Sequence, residues 1–222
     1  MHEGTPEHYD ADYYRGNQQD GDRVALWFYA RVAGRLAHRG DTVLDFGCGV
    51  GHFTKRLAAR FRTIAFDLSP YARQATAERS PSTRVVGDLG EIADGTVDLV
   101  CTLHVLEHIP DPAPTLAEFH RVLRRNGRLL YVVPNPQGWG HRIRGDEWFA
   151  YRDDSHCSLF DRDRWVELTE RAGFVVDGVN ADGLWDPPYV SRVPRLLQLA
   201  TLGAPAAAQV AAGRVFLPRD WG

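Results

Sequence analysis

Cysteine is scarce in this sequence. Cys48, Cys101 and Cys157 are odd in number and widely spaced, so neither a disulfide framework nor a Cys-x-x-Cys zinc site follows from them. A reducing cytoplasm is the expected compartment. An excess of one charge sign is also missing. Lys and Arg total 26 against 29 Asp and Glu, a formal net charge of -3. No global field therefore draws in nucleic acid or an anionic membrane. There is no long apolar run either. The nearest approach, 196–213, is interrupted by Gln198, Gly203, Pro205 and Gln209, which makes a poor membrane span. Packing against the core is expected of it. The first twelve residues are polar and acidic, unlike a secretory signal. Internal repeats and low-complexity segments are absent.

The composition that remains is that of a globular protein: 222 residues, 44% apolar and 25% charged. That length suits one core with a small elaboration. An amphipathic helix is predicted over 22–37, with Val24, Phe28, Val32 and Leu36 at helical spacing, and Gly40 ends it. Strands are then predicted at 42–46, 63–66, 83–86, 97–101 and 128–133, with helices from 52 to about 60 and over 71–78 and 112–125. A helix over 161–172 and a sixth strand over 174–179 follow. Short apolar strands alternating with amphipathic helices imply an α/β fold with parallel, doubly wound pairing. Between 135 and 160 the alternation lapses into a stretch rich in Gly, Trp, Arg and Asp. A loop of that length in a small domain is usually functional.

The chemistry concentrates after the first strand. Asp45, Gly47, Cys48, Gly49 and Gly51 lie in the run Val43-Leu-Asp-Phe-Gly-Cys-Gly-Val-Gly. Glycines permit a tight turn and let a ligand approach the backbone. A dinucleotide loop wants G-x-G-x-x-G. Here the third glycine is one residue early and His52 takes its place. Asp45 would repel a pyrophosphate but attract the ammonium of a methionine moiety. The spacing favours S-adenosylmethionine.

With these residues the chain resembles a class I S-adenosylmethionine-dependent methyltransferase, of the small-molecule group that includes ubiquinone-biosynthesis methyltransferases. Residues 45–51 match that family's first motif. Asp67, followed by Leu68, ends the second strand where the family binds the ribose hydroxyls. Asp88 and Leu89 follow the third strand where the family binds adenine. The run 97–112 matches the fourth-strand motif, with Leu103 at a position that touches cofactor, and 123–130 resembles the turn into the fifth strand. The segment containing Asp153, His156 and Phe160 also recurs in part of the group. The resemblance implies a Rossmann-like, mostly parallel seven-stranded sheet with helices on both faces, in the order 3-2-1-4-5-7-6 with the seventh antiparallel. It implies one domain over 1–222, in which 1–40 is a helical lid, 41–134 the cofactor-binding core, 135–160 an acceptor-binding insertion, and 161–222 the rest of the sheet and lid. The tyrosines at 9, 13 and 14 close over the cofactor in relatives; Tyr14 is the one assigned here.

Two motifs compete. His104-Val-Leu-Glu107-His108 spells H-x-x-E-H, an inverted zinc-protease signature. Pro110 would cut that helix short and no third ligand is evident, so no metal is expected; Glu107 and His108 are read as wall of the active site. Asp186-Pro-Pro-Tyr189 resembles the motif of amino-methylating DNA enzymes but does not follow a buried strand. It is read as a turn, with DNA methylation kept as an alternative.

The expected reaction is methyl transfer to a small-molecule acceptor, preferably at oxygen, with nitrogen or carbon open. A non-catalytic cofactor-binding subunit is the alternative from another class, and a homodimer stays open. Trp139, Trp148, Phe149 and Tyr151 are candidates to stack on the acceptor, and Arg142, Arg144 and Arg152 to pair with an acidic group on it; packing of the insertion is the competing role. O-methylation leaves a proton to remove, which suits histidine. His156, His108 and His104 are the candidates, with Asp153 or Asp154 orienting His156. Four residues follow Pro218, so the expectation is a very short strand at 214–217 or an incomplete sheet edge.

Overall fold

Four consecutive buried residues, Val43 to Phe46, start the sheet. A strand buried on both faces needs cover on both, and parallel pairing with crossover helices supplies it. The computed structural model describes residues 9–16, 21–184, 189–190 and 193–218. Helices α1 (Ala11–Gly16) and α2 (Val24–Leu36) precede strand β1 (Thr42–Phe46). Then come α3 (His52–Ala58), β2 (Arg62–Phe66), α4 (Pro70–Arg79), β3 (Arg84–Val86), β4 (Val97–Leu103), α5 (Pro112–Val122) and β5 (Leu123–Val132). After the sheet lie α6 (Trp139–Arg144), α7 (Arg162–Arg171), α8 (Arg195–Thr201) and α9 (Ala204–Ala212). The strand order is β3-β2-β1-β4-β5, and every pair is parallel.

Alternation along the strands divides the core. Leu44, Phe46 and Val100 point to one face and pack with Leu116 and Phe119 of α5. Val43, Leu99 and Cys101 point to the other, against Phe28, Val32, Phe53 and Leu57. The helices start on local signals. Ser69 accepts from Ala72 N–H (3.1 Å) ahead of Pro70, and Asp111 accepts from Ala113 N–H (3.2 Å) ahead of Pro112. Such caps satisfy donors that helix geometry leaves free.

The sheet has five strands, which corrects the expected seven. Residues 174–179, expected as the sixth, form no strand. Their run of β-favouring residues needs a ladder to become a strand, and among the described residues none pairs with them. An open cleft separates them from β5, and both line it. An Arg128–Asp177 ion pair (3.0 Å) spans it, and Val175 stays 88% exposed. At 214–217 the expected short strand shrinks to one antiparallel bridge, Leu217 with Ala181. Gln209, fully buried on α9, holds that corner. It donates to the carbonyls of Ala181 (3.2 Å) and Asp182 (2.9 Å) and accepts from the N–H groups of Phe216 (2.7 Å) and Leu217 (2.9 Å). Gln198 on α8 does the same for Tyr189, Val190 and Val193. These glutamines break the apolar tract because they replace a strand ladder. Among the described residues no helix is long and apolar enough to cross a membrane.

Candidate active site

The turn from β1 into α3 is shaped by backbone geometry. Gly47, Gly49 and Gly51 have φ of 75°, 50° and 83°, a region that costs other residues about 1–2 kcal/mol. Space is limiting as well. A Cβ at Gly47 would lie 2.3 Å from Val105 Cγ2, and one at Gly51 would lie 2.7 Å from Thr76 Oγ1. Gly47 and Cys48 both donate to the Phe66 carbonyl (2.8 and 3.0 Å), which ties the turn to β2. The groove beside it is about 70 Å3 and is lined by Tyr14, Asp45, Leu103 and the loop itself. Tyr14 is buried over Gly49.

Two carboxylates flank this groove. Asp45 is buried and accepts from Thr54 Oγ1 (2.5 Å). Burial pushes its carboxyl up to about 7, against the Thr54 hydrogen bond. Asp67 is buried at the end of β2 and accepts from the N–H groups of Gly49 and Ser69, both at 2.9 Å. Burial raises its pKa too, with those two donors opposing. Cys48 packs at the turn against Thr76, and burial raises its thiol well above the ordinary range. Leu68 is half exposed. Asp88 lies on the surface with its side chain accepting from Gly90 N–H (2.7 Å), and Leu89 begins the one-turn helix after it.

On the other side of β4 an open cleft of about 1800 Å3 holds all three candidate histidines. His104 follows β4 directly and has φ of 56°, a conformation rare for a side-chain-bearing residue and concentrated at functional sites. Its Nδ1 lies 3.2 Å from Glu107 Oε1. The surrounding wall resists charge on His104, but that bond and the Glu107 charge outweigh it, so its pKa rises. His108 Nδ1 lies 2.9 Å from Ser155 Oγ, and Ser155 in turn donates to Asp153 Oδ1. Burial lowers the His108 pKa, with Glu107 opposing. Burial resists charge on Asp153, yet the Ser155 hydrogen bonds and the nearby histidines hold its carboxyl below the ordinary range. Tyr13 OH donates to Asp153 Oδ2 (3.2 Å). His156 Nδ1 donates to the Ala150 carbonyl (2.6 Å). The rings of His108 and His156 sit 4.5 Å apart.

His104, His108 and His156 are thus brought together. Their supports differ from the expected ones. Asp153 reaches His108 through Ser155, His156 is held by a carbonyl, and Asp154 is exposed. Sequence reasoning missed Ser155. Its signal was the Asp153-x-Ser155 spacing, which places Ser155 N–H on the Asp153 carboxylate (3.0 Å) as an Asx turn does. In the insertion, Trp148 is buried and packs on His141 and Tyr151, while Trp139, Phe149 and Tyr151 are exposed. Arg142 lies over Trp139, and Arg144 pairs with Glu147 (3.6 Å). Arg152 lines the cleft. Residues 185–188, most of the Asp-Pro-Pro-Tyr run, lie outside the described residues.

A doubly wound sheet with a glycine turn after β1 and an acid at the end of β2 is the architecture of Rossmann-like S-adenosylmethionine-dependent methyltransferases. The chain belongs to the methyltransferase-domain family, whose profile matches residues 18–179. It is 37% identical to a probable S-adenosylmethionine-dependent methyltransferase of Mycolicibacterium smegmatis over 68% of this chain and 60% of that protein. It is 28% identical to the ubiquinone biosynthesis O-methyltransferase of Xanthomonas oryzae over 54% of each. The chain therefore spans little more than half the length of these relatives. A solved S-adenosylmethionine-dependent methyltransferase from Aquifex aeolicus shares the fold, with a TM-score of 0.59, 17% identity, and coverage of 80% of this chain and 92% of that one.

Proposed function

We propose that this chain transfers a methyl group from S-adenosylmethionine to a hydroxyl of a small-molecule acceptor. One observation carries the proposal. The carboxyl end of β4 separates a glycine-walled groove from a histidine-lined cleft, and Leu103 lines both. Ligands of open α/β sheets bind at such strand ends. The acids at and beside the groove suit the cofactor's hydrogen-bond donors. Asp45 faces the ammonium of the methionine part, Asp67 the ribose hydroxyls, and Asp88 with Leu89 the adenine. Tyr14, Gly47, Cys48, Gly49, Gly51 and Leu103 complete its walls, and Leu68 lies half exposed beside Asp67. Tyr14 packs over Gly49, so it is the side chain that would move if the cofactor enters along the loop.

The cofactor supplies an electrophilic methyl on a sulfonium. The protein aligns the acceptor with it and excludes water. A free histidine Nε2 takes the acceptor's hydroxyl proton, and His104, His108 and His156 are the groups placed to do so. With the cofactor bound, the oxygen's electron pair would form the new C–O bond as the C–S bond broke, and a neutral thioether would be the leaving group. The segment 135–160 forms the acceptor side of a single domain. The similarity to a ubiquinone biosynthesis O-methyltransferase supports oxygen over nitrogen or carbon.

The test has two stages. Calorimetry should show binding of S-adenosylhomocysteine and no comparable binding of NAD. Labelled cofactor with a panel of hydroxylated and amine acceptors should then label an oxygen. Tight NAD binding overturns the assignment, and cofactor binding without transfer to any acceptor favours a regulatory subunit.

A further inference from the structure

The H-x-x-E-H run lacks a third ligand in its own segment, but the fold supplies one from 48 residues further along. Glu107, His108 and His156 each offer a ligand atom, and these atoms lie no more than 4.8 Å from one another. The rest of the cleft wall explains why these groups are free. Ser155 Oγ spends its proton on Asp153 Oδ1, so it accepts from His108 Nδ1–H. His156 Nδ1–H is spent on the Ala150 carbonyl. Both rings therefore keep an unprotonated Nε2, the tautomer assigned by the network. A second group behind the ring, a carboxylate-bound hydroxyl for His108 and a carbonyl for His156, is the usual support of a metal-ligating histidine.

Glu107 gives an independent indication. Its side chain is 1% exposed. Oε1 is satisfied by His104, but Oε2 is buried with no hydrogen-bond partner among the described residues. A buried carboxylate oxygen left unpaired is expensive, and a cation is the partner that would offset it. Its backbone is fixed as well, since the Glu107 carbonyl accepts from the N–H groups of Cys157 and Ser158, both at 2.9 Å. That pair of bonds clamps the His156 segment against the Glu107–His108 turn.

We propose that Glu107, His108 and His156 bind a divalent transition-metal ion that faces the acceptor cleft. Two imidazoles and one carboxylate suit zinc, iron, cobalt or nickel better than magnesium or calcium. A tetrahedral zinc site holds its ligand atoms about 3.4 Å apart, so ion binding draws the outermost atoms together by up to about 1.4 Å, a distance side-chain rotation covers. Three protein ligands leave a coordination position open toward the cleft, where an acceptor oxygen can sit and become more acidic. The ion deepens the O-methylation proposal and rests on it: it selects hydroxyl-bearing acceptors. His104 lies outside the ligand set and keeps its own Nε2 for the proton.

Titration of the purified, chelator-stripped chain with Zn2+, and separately with Co2+, tests this. The expected result is one ion per chain and a visible Co2+ absorption spectrum of a low-coordinate nitrogen–oxygen site. His156→Ala and Glu107→Gln should each weaken Zn2+ at least tenfold, and Ser155→Ala, which removes only the support behind His108, by about 10–100-fold. His38→Ala, at an exposed histidine far along the chain, should leave Zn2+ binding unchanged. Absence of Zn2+ and Co2+ binding, or binding indifferent to His156→Ala and Glu107→Gln, overturns the metal site. S-adenosylhomocysteine binding is measured on the same samples. If it persists while metal binding is absent, only this inference fails; if the wild-type chain does not bind it, the methyltransferase proposal fails.

Discussion

The glycine groove and the histidine cleft flank the same strand end, but they are built differently. The groove is narrow and shaped by the backbone: three glycines with positive φ, and two acids tied to main-chain or hydroxyl donors. The cleft is wide and shaped by side chains from segments about fifty residues apart, joined through Ser155 and the Glu107 carbonyl. A backbone-built site depends on which residues the chain can bend around. A side-chain-built site depends on which distant residues meet. Mutation should therefore separate the two, with cofactor affinity failing on one side and turnover on the other.

The largest effect is expected on the cleft side. His104→Ala, which removes the Nε2 left for the proton, should cut turnover by about 10²–10⁴-fold, the range for a general base, while S-adenosylhomocysteine affinity measured by calorimetry barely changes. An equal loss of affinity would erase the distinction between the two regions.

Next comes the groove. Asp67→Ala should weaken S-adenosylhomocysteine by roughly 1–3 kcal/mol, the scale of hydrogen bonds to a charged group, with turnover at saturating cofactor much less affected. Unchanged affinity would remove Asp67 from the cofactor site.

The third contrast is in pH. Asp45 in the unliganded fold keeps its proton up to about 7, whereas an unfolded chain releases it near ~4. Between these values the folded state binds more protons, so this group's contribution to stability falls as pH rises from about 4 to 7. A ligand ammonium beside Asp45 favours its ionised form. S-adenosylhomocysteine affinity should therefore climb toward pH 7, by at most about tenfold per unit, with proton release on binding below pH 7. Calorimetry in buffers of different ionisation enthalpy reads both, and a flat profile would exclude the contact.

The groove was legible in the sequence because its determinants are contiguous. Glycine spacing after a buried strand, with Asp45 two residues before the first glycine, is a local pattern. The histidines were legible only one at a time. That His156 meets Glu107 and His108 depends on the path of 135–160, and no periodicity encodes that path. The outer sheet was misjudged for a related reason. The run Phe174-Val-Val-Asp-Gly-Val has strand propensity, but propensity does not supply a partner edge. The smallest expected effect follows from this. Val175→Asp, at a position 88% exposed, should shift stability by no more than about 0.5 kcal/mol in urea unfolding. A large loss would mean that 174–179 is packed as a sheet strand after all.

Helix α1 touches both regions. Tyr14 covers Gly49, while its neighbour Tyr13 donates to Asp153, which holds Ser155 and, through it, His108. If Tyr14 swings away to admit the cofactor, Tyr13 is pulled from Asp153, and the histidine wall loses a tether at the moment the other ligand arrives. The two ligands are then thermodynamically linked. Whatever factor the cofactor applies to acceptor affinity, the acceptor must apply to cofactor affinity in return, and six residues of helix set the size of that factor.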